Sequence, residues 1–516
     1  MFSSIKTISN IGLEGYEILI EADNTQALPT IEIVGLPDTA VKEAKERLRS
    51  VFKNCNIELP NRKILLNLSP SDVRKSGTRY DLPMATSILL MFYDQSLNNQ
   101  ELLENSMFFG ELWLDWTMKP VNWLLPSVIH GINLGYKNFF VPKENIYELK
   151  FINNINIYPV ENFSQVYNFF VEWKWIEKIQ TDYDITDLQQ ETTDFDVDMA
   201  DIAGHQVAKR ALSIAAWWLH NVLMIGPPGS WKTMLAKAVQ SILPPLDSDE
   251  ILQVSQIYSI NWSLNKENPL ITQRQFRQVH HTASRVSIIG GWNNITPGEV
   301  SLAHKWVLFF DELAEFSRST LEVLRQPIED KEVTISRAHG YVTYPSDFMM
   351  IASINPCKCG YYKDPEKECS CSINDIKRYQ WKISGPLIDR FDLILDIGRQ
   401  QIWEVISWEK QTPSSTIRES VEAAWKMQKE RFKNSDIKSN SQLDPKNIKE
   451  YIKLDQESDN LLQNAASKMQ LSPRVVHRIM KLARSIADFD GQENIKSNHI
   501  AEALQYRSKN FFVESF

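Results

Sequence analysis

The 516 residues, 43% hydrophobic and 23% charged, make a globular chain too long for a single core, so two to four domains are expected. No apolar run reaches the roughly 20 residues of a membrane-spanning helix, the first residues lack the basic-then-apolar layout of a secretory signal, and five cysteines, an odd number, speak for a reducing cytoplasm over a secreted disulfide framework. The net charge of −9 excludes little, because residues 181–200 hold seven acids and no base and the remainder is nearly neutral.

Residues 16–22 and 30–34 alternate as strands do, and Gly35-Leu36-Pro37-Asp38 reads as a loop leading into an amphipathic helix over 40–52. A strand at 63–68 follows, and Asp81-Leu82-Pro83 leads into an apolar helix over 84–92. The acidic stretch 181–200, poor in large apolar residues and self-repelling, is the best linker candidate. Beyond it come a helix over 206–220, an apolar strand at 221–225, a glycine-containing loop and a helix over 233–242. Further buried strands are expected at 307–310 and 348–354. Strand, loop and helix in that order imply a parallel sheet with helices on both faces. From about residue 402 the pattern is helical.

Gly226-Pro227-Pro228-Gly229-Ser230-Trp231-Lys232-Thr233, with Met234 continuing the next helix, lies between a strand and a helix, where a phosphate-binding loop belongs. Such a loop curls backbone N–H groups round a phosphate, with a helix N-terminus behind them. Lys232 suits the β/γ oxygens of ATP and Thr233 suits Mg²⁺. The glycine expected immediately before that lysine is Trp231, which departs from the pattern. Downstream, the strand 307–310 delivers Asp311 to the Mg²⁺ shell and Glu312 to polarise the attacking water, and Asn355, ending the next strand, could position that water.

Further motifs carry a specific likeness: Ile33-Val34-Gly35-Leu36-Pro37-Asp38, Tyr80-Asp81-Leu82-Pro83, Pro297-Gly298-Glu299-Val300-Ser301-Leu302-Ala303-His304, Asp311-Glu312-Leu313 and Ile383-Ser384-Gly385-Pro386-Leu387-Ile388-Asp389-Arg390. Together they resemble the magnesium-chelatase-like AAA+ ATPase family, in its competence-protein branch, over nearly the whole chain. The resemblance implies an α/β fold: residues 1–175 a Lon-protease-like α+β domain, 176–200 an acidic linker, 201–400 an AAA+ P-loop core with a parallel sheet, and 401–516 a helical lid. It implies that Arg390 is an arginine finger reaching a neighbouring subunit's γ-phosphate, hence a homo-oligomeric ring, a hexamer. Arg474, in Leu471-Ser472-Pro473-Arg474, resembles the lid's sensor arginine. Arg474, Arg478 and Lys481 share a helix face, and a solvated basic face is the alternative reading. Residues 332–344 read as a hairpin with Arg337, His339 and Gly340 near its tip; related helicases aim such a hairpin into the ring's pore, and plain packing is the alternative.

The proteolytic relatives of the N-terminal domain use a Ser–Lys pair. Here Arg79 stands roughly where the nucleophile would, so a non-proteolytic scaffold or DNA-contacting collar is expected. Cys357, Cys359, Cys369 and Cys371 form two C-x-C pairs that could close a tetrahedral Zn²⁺ site, or remain reduced structural thiols. Cys55 reads as an ordinary buried thiol.

Glycine, at 18 residues, is about half its usual roughly 7%, while tryptophan reaches 15. Against the family pattern, tryptophan stands where glycine is expected at Trp116, Trp123, Trp217, Trp218, Trp231, Trp262, Trp292, Trp306 and Trp381. Two explanations compete: a degenerate ATPase, or a gene whose UGA codons specify glycine in its host and are written here as tryptophan. Only the second accounts for one replacement residue recurring. The expected activity is an ATP- and Mg²⁺-dependent ring motor on branched or single-stranded DNA, which the resemblance narrows to branch migration of recombination intermediates in natural transformation, with no membrane partner. The alternatives are a chelatase-type motor subunit for metal insertion, which the Lon-like domain argues against, and a nucleotide-binding scaffold without turnover, which Trp231 favours.

Overall fold

The structure, a computed structural model, describes residues 2–93, 100–172, 174–181, 185, 195–261, 263–291, 295–337, 340–400, 411–433, 435, 440, 443 and 445–507. It is mixed α/β, with a parallel sheet at its centre and a helical C-terminal region.

In the N-terminal part, strands Phe2–Ile11 and Glu14–Thr25 form a long hairpin, Lys63–Ser69 pairs antiparallel with the second of these, and Thr30–Val34 pairs parallel at the edge. Helix Thr39–Asn54 starts on Asp38, whose side chain accepts the Val41 amide at 2.8 Å, and it buries Val41, Ala44, Leu48, Val51 and Phe52. That spacing is one stripe of a helix of 3.6 residues per turn. Gly35 is obligatory: its φ is +99°, and a Cβ there would stand 2.2 Å from the Leu68 carbonyl oxygen. Asp81 opens helix Asp81–Phe92 and takes a two-pronged ion pair from Arg47 at 2.8 and 2.9 Å, tying two helices together. A second sheet runs in the order Ile179–Gln180, Asn156–Val160, Asn138–Pro142, Ser106–Phe108. Ile176 is buried in the N-terminal core and Ile179–Gln180 pairs with Asn156–Ile157 in the second sheet, so structure continues past residue 175 up to the acidic stretch.

The central sheet holds five parallel strands in the order Phe276–Val279, Val307–Phe310, Met349–Ile354, Val222–Ile225, Leu393–Asp396. The three middle strands are buried along their whole length, as a sheet covered on both faces requires. Alternate residues serve opposite cores: Val222 and Met224 join helices Gln206–Trp218 and Lys232–Ile242, whereas Leu223 and Ile225 face Val300, Leu313 and Ile388. The C-terminal helices pack on the first of these faces through Ile479, Leu482, Ile486 and Ile500. Helix Pro473–Phe489 begins with Ser472 accepting the Val475 amide, with proline at its first position. Its Arg478 reaches Asp392 at 2.9 Å; beside Arg478 and His220 the half-buried Asp392 carboxyl is held far below the usual carboxylate range. That pair pins the helical C-terminal region to the edge of the sheet. No helix among the described residues is long and apolar enough to cross a membrane.

Candidate nucleotide site

The residues expected to form a phosphate loop lie at the C-terminal edge of the sheet, where open parallel sheets place their ligands. Gly226 follows the last strand residue and has no room for a side chain: a Cβ would lie 2.2 Å from the Ile397 carbonyl oxygen. Gly229 takes φ +78° and Trp231 φ +61°, so the chain curls tightly before helix Lys232–Ile242 starts at Lys232. The helix N-terminus and the curled amides face a cleft of about 530 Å³ lined by residues 228–234, Asp311, Glu312, Ser353 and Asn355.

The Lys232 ammonium lies back on its own loop, donating to the carbonyls of Gly226 at 2.8 Å and Pro227 at 2.7 Å and approaching Asn355 Oδ1 at 3.4 Å. Burial pulls its pKa down to about 8, against the opposite pull of Asp311 and Glu312. A desolvated cation held by carbonyl dipoles is suited to an incoming phosphate. Thr233 Oγ1 donates to Asp311 Oδ2 at 3.1 Å. Two oxygens bound side by side to an octahedral Mg²⁺ at its usual bond length stand about 2.9 Å apart, so hydroxyl and carboxylate already have the spacing of neighbouring ligands. Ser353 donates to the other Asp311 oxygen and accepts the Glu312 amide at 3.1 Å. Glu312 itself has φ +51°, a left-handed backbone that costs a non-glycine residue about 1–2 kcal/mol and turns it out of line with its strand. Residues present thus fit ATP and Mg²⁺: Lys232 and the loop amides would hold phosphate, Thr233 and Asp311 the metal, and Glu312 and Asn355 would face the water side.

Lys232, Thr233, Met234, Asp311, Glu312 and Asn355 share one cleft, but Arg390 and Arg474 do not line it. Arg390 is buried, donates to the Pro386 carbonyl at 2.6 Å, and pairs with Glu329 at 2.5 Å. Arg474, half exposed, pairs with the same Glu329. Sequence reasoning missed Glu329 and Ser353; neither sits in a recognisable motif, and only the folded chain brings them to their partners. Arg79 is fully buried and binds Asn10 Oδ1 at 2.9 Å and Ser127 Oγ at 3.1 Å, a structural guanidinium inside the N-terminal part.

Residues 198–405 match the family described as magnesium chelatase, subunit ChlI; 20–145 match subunit ChlI of Mg-chelatase, and 411–507 match magnesium chelatase, subunit ChlI C-terminal. The chain is 36% identical to YifB of Escherichia coli (strain K12) over 513 residues, covering 98% of this chain and 97% of the relative. The chain belongs to the magnesium-chelatase ChlI family. Competence protein ComM of Haemophilus influenzae is 34% identical over 506 residues, 97% of this chain and 96% of its own length. YifB of Salmonella typhimurium is 35% identical, over 98% and 96%. As expected of the magnesium-chelatase-like family, the parallel sheet and the helical C-terminal region occur in one chain.

The tryptophans divide. Trp116, Trp123 and Trp231 have φ of +61°, +58° and +61°, the left-handed region that glycine enters freely and a large side chain does not. Trp306 is fully buried, and its indole N–H has no hydrogen-bond partner among the described residues. Trp381 is exposed in ordinary helical backbone. Trp262 and Trp292 lie outside the described residues, as do the side chains of Trp217 and Trp218. In Trp123 the indole donates to the Ile260 carbonyl at 3.1 Å, so that ring has a use of its own.

Proposed function

We propose that the protein is an ATP- and Mg²⁺-dependent ring motor acting on DNA, and that its hydrolysis drives branch migration of recombination intermediates. The observation that carries the ATPase reading is the Thr233–Asp311 hydrogen bond of 3.1 Å, which gives a hydroxyl and a carboxylate the spacing that magnesium would need beside the buried Lys232 ammonium. The placement of Arg390 supports a ring. It lies outside its own chain's cleft and lines a separate cavity with Arg325 and Glu329, so it can act on phosphate only from a neighbouring subunit and only after releasing Glu329. The DNA reading draws on the relative named competence protein and on the hairpin Glu332–Arg337 with Gly340–Pro345, in register from Glu332–Pro345 to Arg337–Gly340, whose Tyr341 is exposed. An exposed aromatic beside a hairpin tip is suited to stacking on a base; the tip residues 338–339 lie outside the described residues.

Arg390→Ala chains and Glu312→Gln chains should each bind nucleotide and hydrolyse little, whereas a mixture should recover turnover. Sites in Arg390→Ala subunits then receive an intact finger from Glu312→Gln neighbours. Steady-state phosphate release from the two chains alone and mixed checks this, and no recovery in a verified mixed assembly would refute a finger acting in trans. Displacement of a strand from forked or four-way DNA, dependent on ATP, tests branch migration. A specific observation keeps a second reading alive: with tryptophan at 231, a left-handed backbone is imposed on a bulky residue at the phosphates, which favours a scaffold that binds nucleotide without turnover.

A further inference from the structure

The loop Cys357–Cys371 leaves the sheet two residues beyond Asn355 and returns to helix Ile373–Gln380. Its four sulfurs converge: Cys357 Sγ lies 3.3 Å from Cys359 Sγ and 3.6 Å from Cys369 Sγ, Cys359 and Cys369 are 3.5 Å apart, and all four lie within 4.8 Å of one another. These separations are too long for a disulfide, and all four thiols are free. Four thiolates at the usual 2.3 Å round a tetrahedral Zn²⁺ would stand about 3.8 Å apart. A polynuclear iron–sulfur cluster would need them spread round a larger body. The same loop is seated on the nucleotide site. Gly360, with φ +86°, lies so close to the phosphate loop that a Cβ would stand 2.5 Å from Pro228 Cδ. Gln380 Nε2 donates to the Pro356 carbonyl at 2.9 Å, and Arg399 pairs with Asp364 at 3.1 Å, so the loop is anchored at its start and at its middle, with Gly360 between them against Pro228.

We propose that Cys357, Cys359, Cys369 and Cys371 bind one Zn²⁺, and that this ion fixes the turn that holds the phosphate loop and Asn355 in place. Beyond those ties and the Tyr361 ring the loop has no apolar core of its own, and four metal–sulfur bonds would supply one. The clamp acts from outside the reacting groups, by closing off conformations in which residues 226–233 drift from the sheet edge.

The full-length protein, purified without added chelator, should contain about one zinc per chain by elemental analysis, and Co²⁺ exchanged into it should show the intense visible bands of a tetrahedral tetrathiolate. Stripping the ion with a mercurial and a chelator should speed amide deuterium uptake severalfold in peptides covering 357–371 and also 226–233, and added Zn²⁺ should reverse both. Gly360→Ala should keep its zinc yet speed exchange at 226–233, which separates loss of the clamp from loss of the fold. Metal content and exchange are read without nucleotide, so neither depends on whether the chain hydrolyses ATP. Absence of bound metal, or iron alone, would overturn the zinc site. Zinc whose removal loosens 357–371 but leaves 226–233 unchanged would overturn the clamp.

Discussion

Replacing Trp231 with glycine should tighten nucleotide binding about tenfold and raise turnover at least as much. In the curl proposed to hold phosphate, the residue before Lys232 takes a left-handed backbone with φ +61°. For a side chain other than glycine that conformation costs about 1–2 kcal/mol. A loop that must meet this cost spends less time in the binding-competent shape, and apparent affinity falls by that fraction. Each 1.4 kcal/mol is about tenfold. The half-buried indole adds bulk at a point where backbone amides must approach phosphate oxygens. Titration of a fluorescent ATP analogue into both chains checks the binding term. Peptide mass spectrometry of the protein from its own host, across residue 231, asks the prior question. Glycine there would mean that the host reads UGA as glycine and that its phosphate loop is intact. Tryptophan there, with no gain from Trp231→Gly, would put the scaffold reading first.

Glu312→Gln, made in the chain with glycine at 231, should lower kcat by about 10²–10³ while leaving nucleotide affinity unchanged. Glu312 stands one residue past the metal-side Asp311, turned by its left-handed backbone, with its amide held by Ser353. In the proposed mechanism a group so placed would act on the water and not on the bound phosphates, and removing a general base typically costs 10²–10⁴. The amide cannot accept a proton but keeps the shape. Single-turnover hydrolysis beside equilibrium binding separates the two effects. A parallel loss of affinity would move Glu312 from the water side to the binding shell.

The parts of this site that could be read from the sequence are those in which chemistry directly follows a buried strand. Val307–Phe310 is four apolar residues followed by two acids, and Val222–Ile225 runs into the glycine loop. Strand Phe276–Val279 went unread because FRQV, at the sheet edge, is buried only at Val279. Strand Phe2–Ile11 was hidden for a different reason: its inward positions include Ser3, Thr7 and Ser9, all buried, so apolar alternation is broken on the face where it would count. Helix Asp81–Phe92 begins three residues before its apolar run because proline is tolerated in a first turn. The tie of Arg390 and Arg474 to Glu329 joins residues 61 and 145 positions apart, and nothing local announces it. The cysteine pairs were legible as a set, but their seat against Pro228 exists only in three dimensions.

The most direct test of a DNA motor is hydrolysis of ATP by the full-length protein with glycine at 231, measured with Mg²⁺ in the presence and absence of forked DNA. Turnover that requires Mg²⁺, rises severalfold with DNA and vanishes in Glu312→Gln is the predicted result. Tight ATP binding with turnover that DNA leaves unchanged would contradict it and point to an ATPase serving some other partner.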